Sequence, residues 1–175
     1  MRMVQKHAWS YRVFLNNIEN QIYEKTLLGQ TNFEATLPVP VRDKAKLVVK
    51  DEYTFDFLEL GDDYSERQLE NAMIMKINDF LREIGGIFTY MGNQYRLEID
   101  DKEYFIDILL YHLHLKCLVA IELKITEFIP EHVGKMQFYL AALNKLVKTA
   151  DENPSIGIIL CKSKSKTTVE YALNE

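Results

Sequence analysis

Residues 103–127, "EYFIDILLYHLHLKCLVAIELKITE", hold two apolar runs, and each is interrupted by charge. Val119-Ala120-Ile121 reads as a buried strand, yet Glu122 and Lys124 arrive inside the run rather than after it. Upstream, Asp107 stands among Tyr104, Phe105, Ile106, Ile108 and Leu109. Burying an ionised side chain is costly unless it is paired, so three such residues in two strands call for a reason. Side chains two apart on a strand point to one face, which places Glu122 and Lys124 together. With a turn at "LHLK", residues 113–116, Asp107 comes beside Glu122 at a neighbouring-strand distance of about 5 Å.

Two carboxylates converging with one lysine make a hard, oxygen-rich pocket. Mg²⁺ or Mn²⁺ suits it, because these ions bind through one or two carboxylates and keep positions for waters and a phosphate oxygen. The backbone carbonyl of Leu123 is a further oxygen within geometric reach. The lysine can orient or deprotonate a water, or stabilise charge developing on a phosphate. The bland alternative is a structural ion pair, since charged clusters in sheets perturb one another whether or not they have a function. His112 and His114 have His-x-His spacing but no third ligand beside them, which favours a structural role over zinc.

Outward from this stretch, the period changes from two to helical. Strands are expected at "IFTYMG", "QYRLEID", "EYFIDILLYH" and "CLVAIELKI", with "GN" and "DDK" as turns. Before them, "DDYSERQLENAMIMKINDFLREIGG" is one helix with Ser65 and Gln68 as a capping box. After Pro130, Val133, Met136, Leu140, Leu143 and Val147 mark a second helix. "SIGIILC" is a short strand expected to be buried on both faces, and "SKTTVEYAL" begins a third helix. A further amphipathic helix over residues 4–28 precedes an extended arm containing Pro38 and Pro40, and "DEYTFDFLEL" follows as a turn of helix. The order predicts an α/β fold with a mixed sheet and helices on its faces.

The chain has 175 residues, 47% hydrophobic and 27% charged, which fits one globular domain with a helical segment. A formal net charge of -5 excludes a generally basic surface but not a local basic groove. Its 2 cysteines, Cys117 and Cys161, lie in apolar runs without metal-ligand spacing and are read as small hydrophobes in a reducing compartment. No stretch is long and apolar enough for a membrane span and no signal peptide is visible, so the expected location is cytoplasmic.

The order Asp107, then Glu122-Leu123-Lys124, resembles the signature of the PD-(D/E)xK nuclease superfamily. The surrounding text is similar to the bacterial YhcG-like family over nearly the whole chain. Matching stretches are "WSYRVFLNNIENQIYE", "YSERQLENAMI", "QYRLEIDDKEYFIDILLYH", "VAIELK", "GKMQFYL" and "NPSIGIILCK". Ile106 stands where the signature's name has proline, a departure that leaves the aspartate in place. The resemblance implies a restriction-endonuclease-like fold and a Mg²⁺- or Mn²⁺-dependent nuclease hydrolysing phosphodiester bonds in DNA. It implies Asp107 and Glu122 as metal ligands, Lys124 as the water-activating or charge-stabilising residue, Glu70 as an auxiliary acid reaching the metal, and Gln137 as a positioning group near the phosphate. Lys162, Lys164 and Lys166 are candidates for the phosphate backbone, with a solvated turn as the equal alternative. The expected organisation is an N-terminal helix and arm over residues 1–50 and a nuclease-like domain over 51–175, which the family would continue with a further strand. A homodimer is expected, because cutting both strands of a duplex calls for two sites. The alternative is a catalytically silent module on the same fold that binds nucleic acid or protein.

Overall fold

The computed structural model describes residues 31–48, 64–84 and 87–173. The helix expected over residues 4–28 and the segment "DEYTFDFLEL" lie outside the described residues. Two short helices come first, α1 (Phe33–Thr36) and α2 (Val39–Val48). Here the expected extended arm is corrected. Pro38 immediately precedes α2 and Pro40 lies in its first turn, where the missing N–H has no intrahelical acceptor to lose. Arg42 N donates to Pro38 O and starts the helical ladder.

The single helix expected over the next segment is two, α3 (Glu66–Met75) and α4 (Ile77–Glu83), divided at Lys76. Lys76 leaves helical geometry at φ -108°, ψ 35°, and Met75 stands 87% exposed at the break. The capping box holds as read. The Ser65 hydroxyl accepts from Gln68 N, and the Ser65 backbone N–H donates to the Gln68 side chain.

The sheet has four strands in the order β1 (Phe88–Ile99), β2 (Lys102–His112), β3 (Cys117–Glu127) and β4 (Ile156–Ser163). The first three form an antiparallel meander. Helix α5 (Glu131–Leu146) then carries the chain to β4, which lies parallel to β3, and α6 (Lys166–Leu173) follows. The sheet is mixed, as its antiparallel and crossover-connected segments predict. Asp100 and Asp101, at φ 50° and 60°, make the two-residue β1–β2 turn, in the conformation that matches strand twist. "GN", in contrast, is no turn. Gly92 sits at a register shift within one continuous β1, so the two strands expected there are a single bulged one. As expected, β4 packs on both faces: Ile156, Ile158 and Leu160 join the core under α3, while Gly157 and Ile159 meet the α5 side. The second face is the less deeply buried, its residues alternating with the fully buried ones along this edge strand.

Two cores sandwich the sheet. On one face Leu69, Met73 and Phe80 from α3 and α4, with Ile84 just past α4, pack with Ile108, Leu110, Val119, Ile121 and Leu123. On the other, Met136, Tyr139, Ala142 and Leu143 of α5 cover Leu97, Leu109, Leu118 and Ala120. Gly157 lets α5 approach closely: a Cβ there would collide with the Cγ and Sδ of Met136. Helix placement on both faces thereby fixes α3 and α5 over the same end of β3.

Candidate active site

The site begins where the sheet opens. The β2–β3 ladder runs from His112 opposite Cys117 to Ile108 opposite Ile121, then stops although both strands continue. The next residues in that register are Asp107 and Glu122, so the expected juxtaposition is present at the fork. Asp107 substitutes for the lost backbone pairing: its Oδ2 accepts the Leu123 N–H at 2.8 Å. Across Asp107 the alternation of β2 also breaks, because Ile106 packs into the α5 core and Ile108 into the α3 core.

Glu122 is 2% exposed. Its Oε2 accepts from Lys135 Nζ of α5 at 2.7 Å, with Lys124 Nζ at 3.6 Å. Its Oε1 is buried and has no hydrogen-bond partner among the described residues. Burial pushes the carboxyl above its ordinary range, outweighing the Lys135 ammonium, and the charge of Asp107 adds to the rise. Burial lowers the basicity of Lys135, but the hydrogen bond and the charge of Glu122, with a smaller share from Tyr139, together outweigh it and raise the pKa. The same ammonium lies 5.2 Å from the centroid of the Tyr139 ring, whose hydroxyl donates to Phe105 O. Lys124 donates to the Leu123 carbonyl at 2.8 Å and lies 3.5 Å from Glu66 of α3.

Glu70 is buried one helical turn beyond Glu66, on the side of α3 that Leu69 and Met73 fasten to the sheet. It reaches β1. Asn93 Nδ2 donates to its Oε1 at 3.1 Å, and Gln94 Nε2 donates to its Oε2 at 2.8 Å. Gln94 Nε2 also lies 3.4 Å from Asp107 Oδ1. The structure thus gathers Asp107, Glu122 and Lys124, and joins Glu70 to them through an amide. Gln137 is exposed on α5, and its side chain makes no hydrogen bond with a described residue. Lys162 and Lys164 are exposed at and just past the carboxyl end of β4, where β3 carries Lys124 opposite Cys161, and Lys166 opens α6. Nδ1 of His112 accepts the Leu115 N–H, and the ring packs edge-on against Phe88.

Glu66, Asn93, Gln94, Lys135 and Tyr139 complete the cluster and were not nominated from the sequence. Lys135 is distinguished from Gln137 by the rotation of α5 against the sheet. Buried Tyr139 and Ala142 displace the covered face of α5 toward Lys135 and away from Gln137. Asn93 and Gln94 carry no sequence signal, because their placement depends on the bulge at Gly92.

Among the described residues no three His, Cys, Asp or Glu side chains form a ready-made cage for a metal ion. The donors nonetheless fit Mg²⁺ or Mn²⁺, which take few protein ligands and retain waters. Asp107, the orphaned Oε1 of Glu122 and the Leu123 carbonyl supply hard oxygens, and two lysines now satisfy the oxygens that face them.

The family described as "YhcG PDDEXK nuclease domain" matches residues 46–175. The Escherichia coli (strain K12) protein named "Putative nuclease YhcG" is 36% identical over 169 residues, covering 95% of this chain and 45% of that protein. The chain spans about half the length of this relative. No solved structure matches it significantly. With the open β2–β3 fork, its acidic pair and its lysine in place, the chain belongs to the YhcG family of PDDEXK nuclease domains.

Proposed function

We propose that the protein is a divalent-metal-dependent nuclease that hydrolyses phosphodiester bonds in DNA. The observation that carries this reading is Glu122: a buried carboxylate with one unpartnered oxygen, opposite Asp107 where the ladder opens. A core built for stability alone gains little from such a group, since replacing a buried ion pair with apolar residues is commonly neutral or stabilising.

Asp107 and Glu122 would hold Mg²⁺ or Mn²⁺, with the Leu123 carbonyl beside them and Glu70 behind. Bound there, the cation would polarise the phosphoryl group and lower the pKa of a water. Lys124 is held between Glu122, Glu66 and the Leu123 carbonyl, so its ammonium is aimed at the same point. It orients the attacking water or offsets charge developing on the phosphate. Lys135 balances Glu122 in the resting protein, and its side chain, 45% exposed, can turn from Glu122 to a phosphate oxygen. Gln137 would bind substrate further out on α5. Lys162, Lys164 and Lys166, at and beyond the carboxyl end of β4, would take the flanking backbone phosphates. Two copies acting together would cut both strands of a duplex, so a homodimer is part of the reading.

Labelled duplex, single-stranded and branched DNA, incubated with Mg²⁺, Mn²⁺ or EDTA, tests it. Cleavage that requires metal and disappears in Glu122→Ala supports the reading. A folded protein that binds DNA and never cuts it points instead to a silent binding module.

A further inference from the structure

On a regular strand, consecutive side chains point to opposite faces. Asn93 and Gln94 are consecutive on β1, yet both reach the Glu70 carboxylate. Two backbone departures make this possible: the register shift at Gly92 and the left-handed conformation of Gln94, at φ 45°. A non-glycine residue held in that region costs free energy that the surrounding structure must offset, and such positions concentrate at functional sites. The Tyr90 hydroxyl fixes Asn93 by donating to its Oδ1 at 2.7 Å. The Gln94 amide nitrogen lies between two carboxylates, 2.8 Å from Glu70 Oε2 on α3 and 3.4 Å from Asp107 Oδ1 on β2.

We infer that Gln94 is a positioning residue: its amide couples Glu70 to Asp107, so that the carboxylate of α3 serves the same metal as the two carboxylates of the sheet. This inference rests on the nuclease reading. Without the amide, two negative groups from separate elements face each other with no donor between them and diverge. With it, both are held toward the open end of the β2–β3 fork. The strained backbone is retained because a regular strand residue would direct its side chain away from Glu70.

Glycine is at ease at φ 45° and has no amide, so Gln94→Gly separates strain from function. Mn²⁺ binding by calorimetry and thermal melting without metal are compared for the parent, Gln94→Gly, Gln94→Asn, Glu70→Gln and the double variant Gln94→Gly/Glu70→Gln. Gln94→Gly is expected to weaken Mn²⁺ binding about tenfold or more while the melting temperature stays within about 3 °C. The double variant should bind no more weakly than Glu70→Gln alone, since both changes remove one coupling. Gln94→Asn, which tolerates the same backbone, should recover part of the affinity. A purely structural Gln94 would show the reverse: lowered melting temperature and unchanged affinity. Parental binding of Mn²⁺ with undiminished affinity in Gln94→Gly overturns the inference alone. Absence of Mn²⁺ binding by the parent overturns the nuclease reading beneath it.

Discussion

Lys135→Met keeps most of the side-chain volume and removes the ammonium that faces Glu122. Two unit charges 2.7 Å apart attract by about 6 kcal/mol at an effective dielectric of about 20. That figure is an upper bound, because the Lys135 side chain is 45% exposed and regains hydration when it separates. After this discount the expected loss of stability is about 1–2 kcal/mol in metal-free buffer. Its pH dependence is the sharper signature. The folded pKa of Glu122 lies above its unfolded value, so its contribution is fully present at acid pH and is lost as pH rises through the folded pKa. Removing Lys135 raises that folded pKa further. The two proteins should therefore be nearly equal in stability at about pH 4, with the deficit of Lys135→Met opening as pH rises toward about 8. Urea denaturation at a series of pH values measures this directly. A deficit that is constant with pH, or largest in acid, would refute the assignment of Lys135 as the counter-charge of Glu122.

His112 offers a second pH test away from the site. It is fully buried, and desolvation lowers its pKa from 6.5 to about 4. The unfolded chain binds this proton first, so stability falls as pH drops through the interval, by about 3 kcal/mol between pH 7 and pH 4. His112→Phe should lack that part of the slope; an unchanged slope would contradict it. Gly157→Ala puts a methyl into the Met136 side chain at the α5–β4 contact. It should cost about 1–3 kcal/mol, and Met136→Ala in the same background should recover part of that loss. Because α5 carries Lys135, the proposed nuclease activity should fall with it. Normal stability in Gly157→Ala would show that α5 is not held at this distance.

Legibility in the sequence followed the range of the interactions. Asp107, Glu122 and Lys124 were readable because strand alternation and one short turn place them, and both are local rules. The capping box was readable for the same reason. Pro38 and Pro40 misled because proline forbids the helix interior but suits its first turn, and only the chain's path shows which applies. "GN" looked like a hairpin turn because its residue types permit one, whereas the long pairing of β1 with β2 makes it a bulge. Lys135 and Gln137 are two residues apart on one helix. Choosing between them needs the rotation of α5 against the sheet, a tertiary quantity that the expected stripe of Val133, Met136, Leu140, Leu143 and Val147 left open. Gln94 was the least legible, because its role depends on a left-handed backbone that nothing in "GNQY" announces.

Every role proposed for this site depends on a divalent ion in the fork between β2 and β3. Crystals soaked in Mn²⁺, with anomalous diffraction recorded at the manganese edge, test it most directly. A peak is expected between the carboxylates of Asp107 and Glu122, beside the Leu123 carbonyl, with Lys135 turned away from Glu122. A fork without manganese at saturating soak, with Lys135 still bonded to Glu122, would contradict it.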